Sequence, residues 1–272
     1  MDYKKIYELM VERTCQYLTE NKLKAMVIGV SGGIDSTLTC CICSEVSEQT
    51  NIPLIGVSLP CSSNAEDENN SAMLTMQAFC DEWWVENLQK EYLLMRATCE
   101  QRIPSTDISQ GNIKARLRMI YLYNIASIKG GIVMDTDNIT ENSLGFFTVS
   151  GDVGDINPIG CLWKHEIFEM VKWLYTEKYA DGKEHDALVA AYNMVPTDGN
   201  GVKAGGDLAQ IAPGSTFEEV DAILDEYLSN GEVNGDFPKD TVERVIARHL
   251  ASGFKRLPHP IKIVKRSEII LL

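Results

Sequence analysis

The sequence predicts an α/β fold: a parallel sheet with helices on both faces, followed by further helices toward the C-terminus. Three observations lead there. Short apolar runs alternate with helix-period segments through the first half of the chain, the pattern of a parallel sheet covered on two sides. The first run passes through a glycine-rich turn straight into a helix. The chain has 272 residues, 44% of them hydrophobic and 24% charged, with no low-complexity tract, so it can bury one large core. The expectation is a single domain over residues 1–272.

The elements follow in order. Tyr3, Ile6, Tyr7, Met10, Val11 and Leu18 recur at helical spacing over residues 3–20. Met26-Val27-Ile28-Gly29-Val30 reads as a buried strand, with a helix beginning near Thr37 after the turn. Residues 53–60 form the second strand, 62–70 a polar loop, roughly 70–80 a helix, and 85–88 a short third strand. Residues 112–127 are helical and are stopped by Gly130-Gly131, before a strand over 132–135. The polar, glycine-containing segment 145–158 reads as a functional loop. Residues 163–178, 217–228 and 239–252 are helical. Between them, residues 195–216 hold five glycines and two prolines and read as a mobile loop, and 255–272 as a basic tail.

Charge and cysteines narrow the function. The net charge is −14, the wrong sign for a general nucleic-acid surface. A small anionic substrate would need its own positive pocket. No apolar run reaches 18 residues, so no membrane span is expected. Met1-Asp2-Tyr3-Lys4-Lys5 leads into no signal-peptide block, which points to the cytoplasm. Of eight cysteines, Cys40 and Cys43 have C-x-x-C spacing, but no second pair completes a four-sulfur site, so packing is the simpler reading.

The first chemical signal is Ser31-Gly32-Gly33-Ile34-Asp35-Ser36. A helix N-terminus behind such a turn offers unpaired N–H groups and positive potential to a phosphate. Gly32 and Gly33 permit close approach, and Ser31 and Ser36 add hydroxyls. Asp35 is out of place against a bare phosphate but fits if Mg2+ lies between them. The segment is neither the Walker A pattern nor the dinucleotide G-x-G-x-x-G pattern. It resembles the pyrophosphate-binding loop of the ATP pyrophosphatases.

Three further segments choose among them. Gly111-Asn112-Ile113-Lys114-Ala115-Arg116 opens a helix on which Arg116 and Tyr123 share a face. Thr136-Asp137-Asn138-Ile139-Thr140-Glu141 follows a strand's C-terminal end, where open α/β sheets bind ligands; it also reads as a helix N-cap segment. Then come Gly145-Phe146-Phe147-Thr148, Gly151-Asp152-Val153-Gly154-Asp155 and Leu162-Trp163-Lys164. In this order, from about residue 25 to about 260, the four segments resemble ammonia-dependent NAD synthetase. The resemblance implies a Rossmann-like, adenine nucleotide α-hydrolase-like fold. It implies ATP-dependent amidation of deamido-NAD (nicotinic acid adenine dinucleotide) with ammonia, through an acyl-adenylate, releasing AMP and diphosphate.

The resemblance also implies roles. ATP would meet Ser31, Gly32, Gly33, Asp35, Ser36, Ser58, Arg116, Thr136 and Thr197, and Mg2+ would meet Asp35 and Glu141. Deamido-NAD would meet Asn112, Tyr123, Phe146, Asp152, Asp155, Lys164 and Lys255. The chemistry would rest on Asp35, Lys164, Asp155 and Lys255, with Asp152 or Asp155 beside the ammonium. A homodimer with the deamido-NAD site at its interface is implied, and no glutaminase domain fits the length. Several positions depart from the family pattern. Gly151 to Asp155 is one residue short, Leu59-Pro60-Cys61-Ser62-Ser63-Asn64 replaces the usual segment after the second strand, and Asp135-Thr136-Asp137 replaces Gly-Thr-Asp. Phe254 stands where the family has a histidine before Lys255-Arg256, and the acidic cluster of the 195–216 loop is thinned to Asp207. Two rivals share the ATP loop: a tRNA-modifying enzyme, which Cys40 and Cys43 would suit, and an inactive nucleotide-binding homologue, which the departures would suit.

Overall fold

The computed structural model describes residues 1–61, 66–152, 154–196 and 206–257. Helix α1 (Tyr3–Glu20) leads to β1 (Met26–Gly29), and α2 (Ile34–Thr50) returns the chain to β2 (Leu54–Ser58). Next come α3 (Glu66–Phe79), β3 (Glu82–Val85), α4 (Gln89–Glu100), α5 (Asp107–Lys129) and β4 (Ile132–Val133). The sheet order is β3-β2-β1-β4, and every pair is parallel. Met26 pairs with Leu54 on one side and with Ile132 on the other, so β1 is central.

Strand side chains alternate between faces, and this sorts the two cores. Met26, Ile28 and Leu54 turn toward α1, α2 and α3, where Tyr7, Leu38, Ile42 and Met76 are buried with them. Val27, Ile55 and Val57 turn the other way, onto Leu88, Tyr92 and Ala126 of the α4–α5 layer. Burial on both faces explains why β1 and β2 read as continuous apolar runs. Gly56 faces α3 closely: a Cβ there would stand 2.4 Å from Cys80 Sγ. β3 is the sheet edge, and Glu82, Trp83 and Val85 are exposed.

The second half adds α6 (Ile139–Leu144), α7 (Lys164–Trp173), a π turn over Leu174–Lys178, and α8 (Gly182–Asn193). Then come α9 (Gly206–Ile211), α10 (Phe217–Asn230), α11 (Lys239–Ala251) and a 3-10 turn over Gly253–Arg256. Ile167, Met170 and Leu188 of α7 and α8 join the first core. A third core holds Leu144, Val220, Ile223, Leu224 and Val245 of α6, α10 and α11.

The parallel sheet is the one the alternation predicts. The third strand lies at 82–85 instead of 85–88, because Trp83-Trp84-Val85 does the pairing, while Glu86 and Leu88 continue to donate to Ser58 and Pro60 carbonyls. The predicted loop over 62–70 is helical from Glu66. The predicted helix over 163–178 relaxes to a π turn after Trp173. Residues 206–211 of the expected loop form α9. Helices α4 and α8 had no counterpart in the sequence reading. Among the described residues no helix is long and apolar enough to cross a membrane.

Candidate active site

The site begins where β1 turns into α2. Gly32 has φ +87°, and a Cβ there would stand 2.3 Å from the Glu68 carbonyl oxygen and 2.7 Å from Ala72 N. Only glycine fits a left-handed turn pressed against α3 in this way. Ser71 Oγ donates to the Gly32 carbonyl at 2.7 Å and locks α3 to the turn. Ser36 Oγ donates to the Gly33 carbonyl at 3.0 Å and lies 3.0 Å from Ser31 Oγ. Gly33 caps α2 with no side-chain bond, so the cap itself offers the first-turn N–H groups no acceptor, and Asp35 lies in that first turn.

Opposite stands a charge cluster drawn from three elements. Lys164 opens α7, and its Nζ donates to Asp35 Oδ2 at 2.5 Å and to Glu141 Oε1 at 2.9 Å. The lysine side chain is 3% exposed. A capping box places Glu141 by fixing the start of α6: Asn138 Oδ1 accepts from Glu141 N, and Glu141 Oε2 accepts from Asn138 N. Asn138 Nδ2 also donates to Asp35 Oδ1 at 2.8 Å. Burial and the Asp35 charge push the Glu141 carboxyl up to about 7, against the pull of Lys164. Burial works against the Lys164 charge, but Asp35 and Glu141 overcome it and raise its pKa. Asp137, nearby, is raised well above the usual carboxylate range by burial and by the neighbouring Asp135, Glu141, Asp152 and Asp35.

These groups line one cleft of about 1710 Å3. Its far wall is α5 and the C-terminal helices. Asn112 Oδ1 accepts from Thr148 Oγ1 at 2.8 Å, and Asp152 accepts from Thr148 N, so the loop after α6 is tied to α5. Burial raises the Asp152 carboxyl, opposed by that N–H bond. Lys255 Nζ donates to the Gly145 and Phe147 carbonyls at 2.7 and 2.6 Å. Arg248 donates to the Leu144 carbonyl and lies over the Phe146 ring, and Arg256 donates to the Ser143 carbonyl. Cations gathered at the C-terminal end of α6 suit the negative end of its dipole.

A model of the NAD synthase family matches residues 6–259. The chain belongs to that family. It is 31% identical over 247 residues to the NH(3)-dependent NAD(+) synthetase of Finegoldia magna, covering 90% of this chain and 92% of that one. Among solved structures, the NMN synthetase of Francisella tularensis superposes with a TM-score of 0.78 at 26% identity, covering 97% of this chain and all of that one. The fold is also that of the NH3-dependent NAD synthetase of Campylobacter jejuni, with a TM-score of 0.73 at 23% identity over 96% of this chain.

The cleft gathers Ser31, Gly33, Asp35, Ser36, Ser58, Asn112, Thr136, Glu141, Phe146, Asp152, Lys164 and Lys255 from the predicted set. Gly32 is buried and is not among the lining residues. Arg116, Tyr123 and Asp155 are not among the residues lining it. Arg116 donates to the Val149 carbonyl. Tyr123 donates to Asp155 Oδ1 at 3.0 Å, and Asp155 Oδ2 accepts from Val133 N. Thr197 lies outside the described residues. Lys114 and Arg118 do line the cleft, and Arg118 donates to the Leu59 carbonyl. The sequence motif singles out Arg116 on this helix and gives Arg118 no role. Cys40 and Cys43 are fully buried on α2 among apolar neighbours, the surroundings of packed thiols. Asp221 and His165, which support the cluster from behind, carry no motif signal, and Thr140 lies in a quoted segment that gives it no role of its own.

Proposed function

We propose that this chain performs the reaction of its family, ATP-dependent amidation of deamido-NAD with ammonia, through an adenylated carboxylate. The observation that carries the reading is Lys164 held between Asp35 and Glu141 beside the open N-terminus of α2. That arrangement offers backbone donors, one buried cation and two carboxylates to a triphosphate. The cleft exceeds the usual 300–1,000 Å3 of a single-ligand pocket, which suits a nucleotide and a dinucleotide together.

The nicotinate carboxylate is itself the nucleophile, so the first step needs no general base. Its oxygen bonds to the α-phosphorus, and the bond to the bridging oxygen breaks as diphosphate leaves. The α2 N-terminus, Ser31 and Ser36 receive the diphosphate, and Lys164 offsets charge at the α-phosphate. Ammonia then attacks the acyl carbon, the bond to the AMP oxygen breaks, and the nitrogen loses a proton. Asp152, which lines the cleft, is the candidate to take it. No group of three or more potential metal ligands occurs among the described residues. Two carboxylates are nevertheless the protein share expected for Mg2+, whose remaining ligands are phosphates and water, so Asp35 and Glu141 fit it. When bound it would neutralise phosphate charge.

A homodimer belongs to the same proposal. Exposed apolar side chains gather on α4 and α5, including Leu93, Leu94, Met95, Ile108, Ile120 and Ile128. Tyr123 and Asp155 sit on that side of the sheet and outside the cleft, which suits a subsite completed by a second copy. Sedimentation at micromolar concentration tests it.

The deciding experiment measures AMP and NAD from ATP, Mg2+, ammonium and deamido-NAD, with Asp35→Ala beside it. Equimolar AMP and NAD, lost in the variant, support the reading; neither product sinks it. The likeness to an NMN synthetase favours a second reading of the substrate alone: nicotinate mononucleotide in place of the dinucleotide. Comparing kcat/KM for the two acids decides between them.

A further inference from the structure

Asp221 lies on α10, is wholly buried, and does not line the cleft. Both of its carboxylate oxygens are engaged. Oδ1 accepts from Thr140 Oγ1 at 2.5 Å. Oδ2 accepts from His165 N at 2.9 Å and faces His165 Nδ1 at 2.9 Å. Thr140 Oγ1 in turn accepts from Lys164 N at 2.9 Å. Thr140 directly precedes Glu141, and His165 directly follows Lys164. A single carboxylate therefore clasps the two backbone segments that carry the lysine and glutamate of the charge cluster.

The chemistry explains why a charge is kept in this place. The first N–H groups of α7 lack partners within the helix. Its N-cap, Trp163, supplies no side-chain bond, and Glu166 reaches back to Trp163 N instead. Asp221 and Thr140 supply the missing acceptors from α10 and α6. A buried anion at a helix N-terminus is also favoured by the dipole. An apolar residue on α10 would leave the Thr140 hydroxyl and the His165 N–H without this acceptor, so that the direct bond from Lys164 N to Thr140 Oγ1 would lose the anchor behind it.

We propose that Asp221 is a positioning residue that fixes α6 against α7, and through them the Lys164–Glu141 geometry, for the adenylation step. The inference rests on the amidation reading. Second-layer partners of this kind typically change activity by about 10–100-fold.

The test compares the full-length wild type with Asp221→Asn, Thr140→Val and Thr140→Ser. It measures kcat for AMP release, the ATP Kd by calorimetry without the nicotinate substrate, and Tm. The expected result is a kcat loss of about 10–100-fold in Asp221→Asn and Thr140→Val, with the ATP Kd within about threefold. Thr140→Ser, which keeps the hydroxyl, retains kcat within about threefold, and the double variant Asp221→Asn/Thr140→Val is no slower than the worse single one. Thr140→Val keeps the test decisive should Asp221→Asn fail to fold. A kcat near wild type in Thr140→Val, additive losses, or a kcat loss matched by equal losses of ATP affinity and Tm would overturn the inference while leaving the amidation reading intact. A wild type that forms neither AMP nor amide overturns both.

Discussion

The two sides of the cleft are built in opposite ways. The phosphate side is six consecutive residues, Ser31 to Ser36, whose geometry follows from a strand, a left-handed glycine and a helix start. The charge side joins Asp35 of that same segment to Glu141 and Lys164, and the three meet only because α2, α6 and α7 converge. The first is specified by local backbone preference and the second by packing. A local motif tolerates changes elsewhere in the chain, whereas a convergent cluster depends on every element that holds it.

The largest effect is expected on the convergent side. Lys164→Met leaves Asp35 and Glu141 facing each other without a cation, and removing one partner of a buried pair destabilises by roughly 3–5 kcal/mol. AMP formation should fall by about 10^3-fold, since charge stabilisation at the reacting phosphate goes with it. The double variant Lys164→Met/Glu141→Gln should recover most of the stability and none of the rate. Urea denaturation beside a turnover assay separates the two. If the double variant regains activity, Lys164 serves only to neutralise the carboxylates.

The same contrast explains what could be read from the sequence. The sheet was legible because burial on both faces leaves Met26 to Gly29 and Leu54 to Val57 as unbroken apolar runs. The diphosphate loop was legible because its six residues are contiguous. Glu141 and Lys164 were legible only through the order of separated segments, since neither spacing nor periodicity brings residues 35, 141 and 164 together. Asp221 was illegible: on α10 it is one acidic residue among Glu218, Glu219, Asp225 and Glu226, and only the fold shows that it points inward. The outward position of Arg116 was hidden for a related reason. Arg116 and Arg118 lie on one helix, and which of them meets the cleft depends on how α5 packs on the sheet.

On the local side, Gly32→Ala sharpens the comparison. Its methyl group would meet backbone atoms of α3, not a flexible side-chain end, so α3 must move or the turn must open. Left-handed strain adds roughly 1–2 kcal/mol and overpacking about 1–3 kcal/mol. The damage should stay on the phosphate side: the ATP KM rises about tenfold, and the KM for the nicotinate substrate changes little. Equal rises in both would mean that the turn and the charge cluster are not separable.

The smallest effect is expected where the resemblance implies a catalytic role. Lys255 Nζ is bonded to two backbone carbonyls, Gly145 and Phe147, on the loop that follows Glu141 and carries Phe146. Burial and the nearby Arg248 lower its pKa, so the two carbonyl acceptors work against a disfavoured charge. Such a clasp shapes the wall of the nicotinate subsite, and its loss should weaken binding more than chemistry. Lys255→Met should therefore raise the KM for the nicotinate substrate about five- to tenfold and lower kcat by less than about tenfold, the signature of lost uniform binding. A fall in kcat of about a hundredfold at constant KM would place the ammonium in the reaction itself, and the charge side of the site would then extend from α7 to the C-terminal turn.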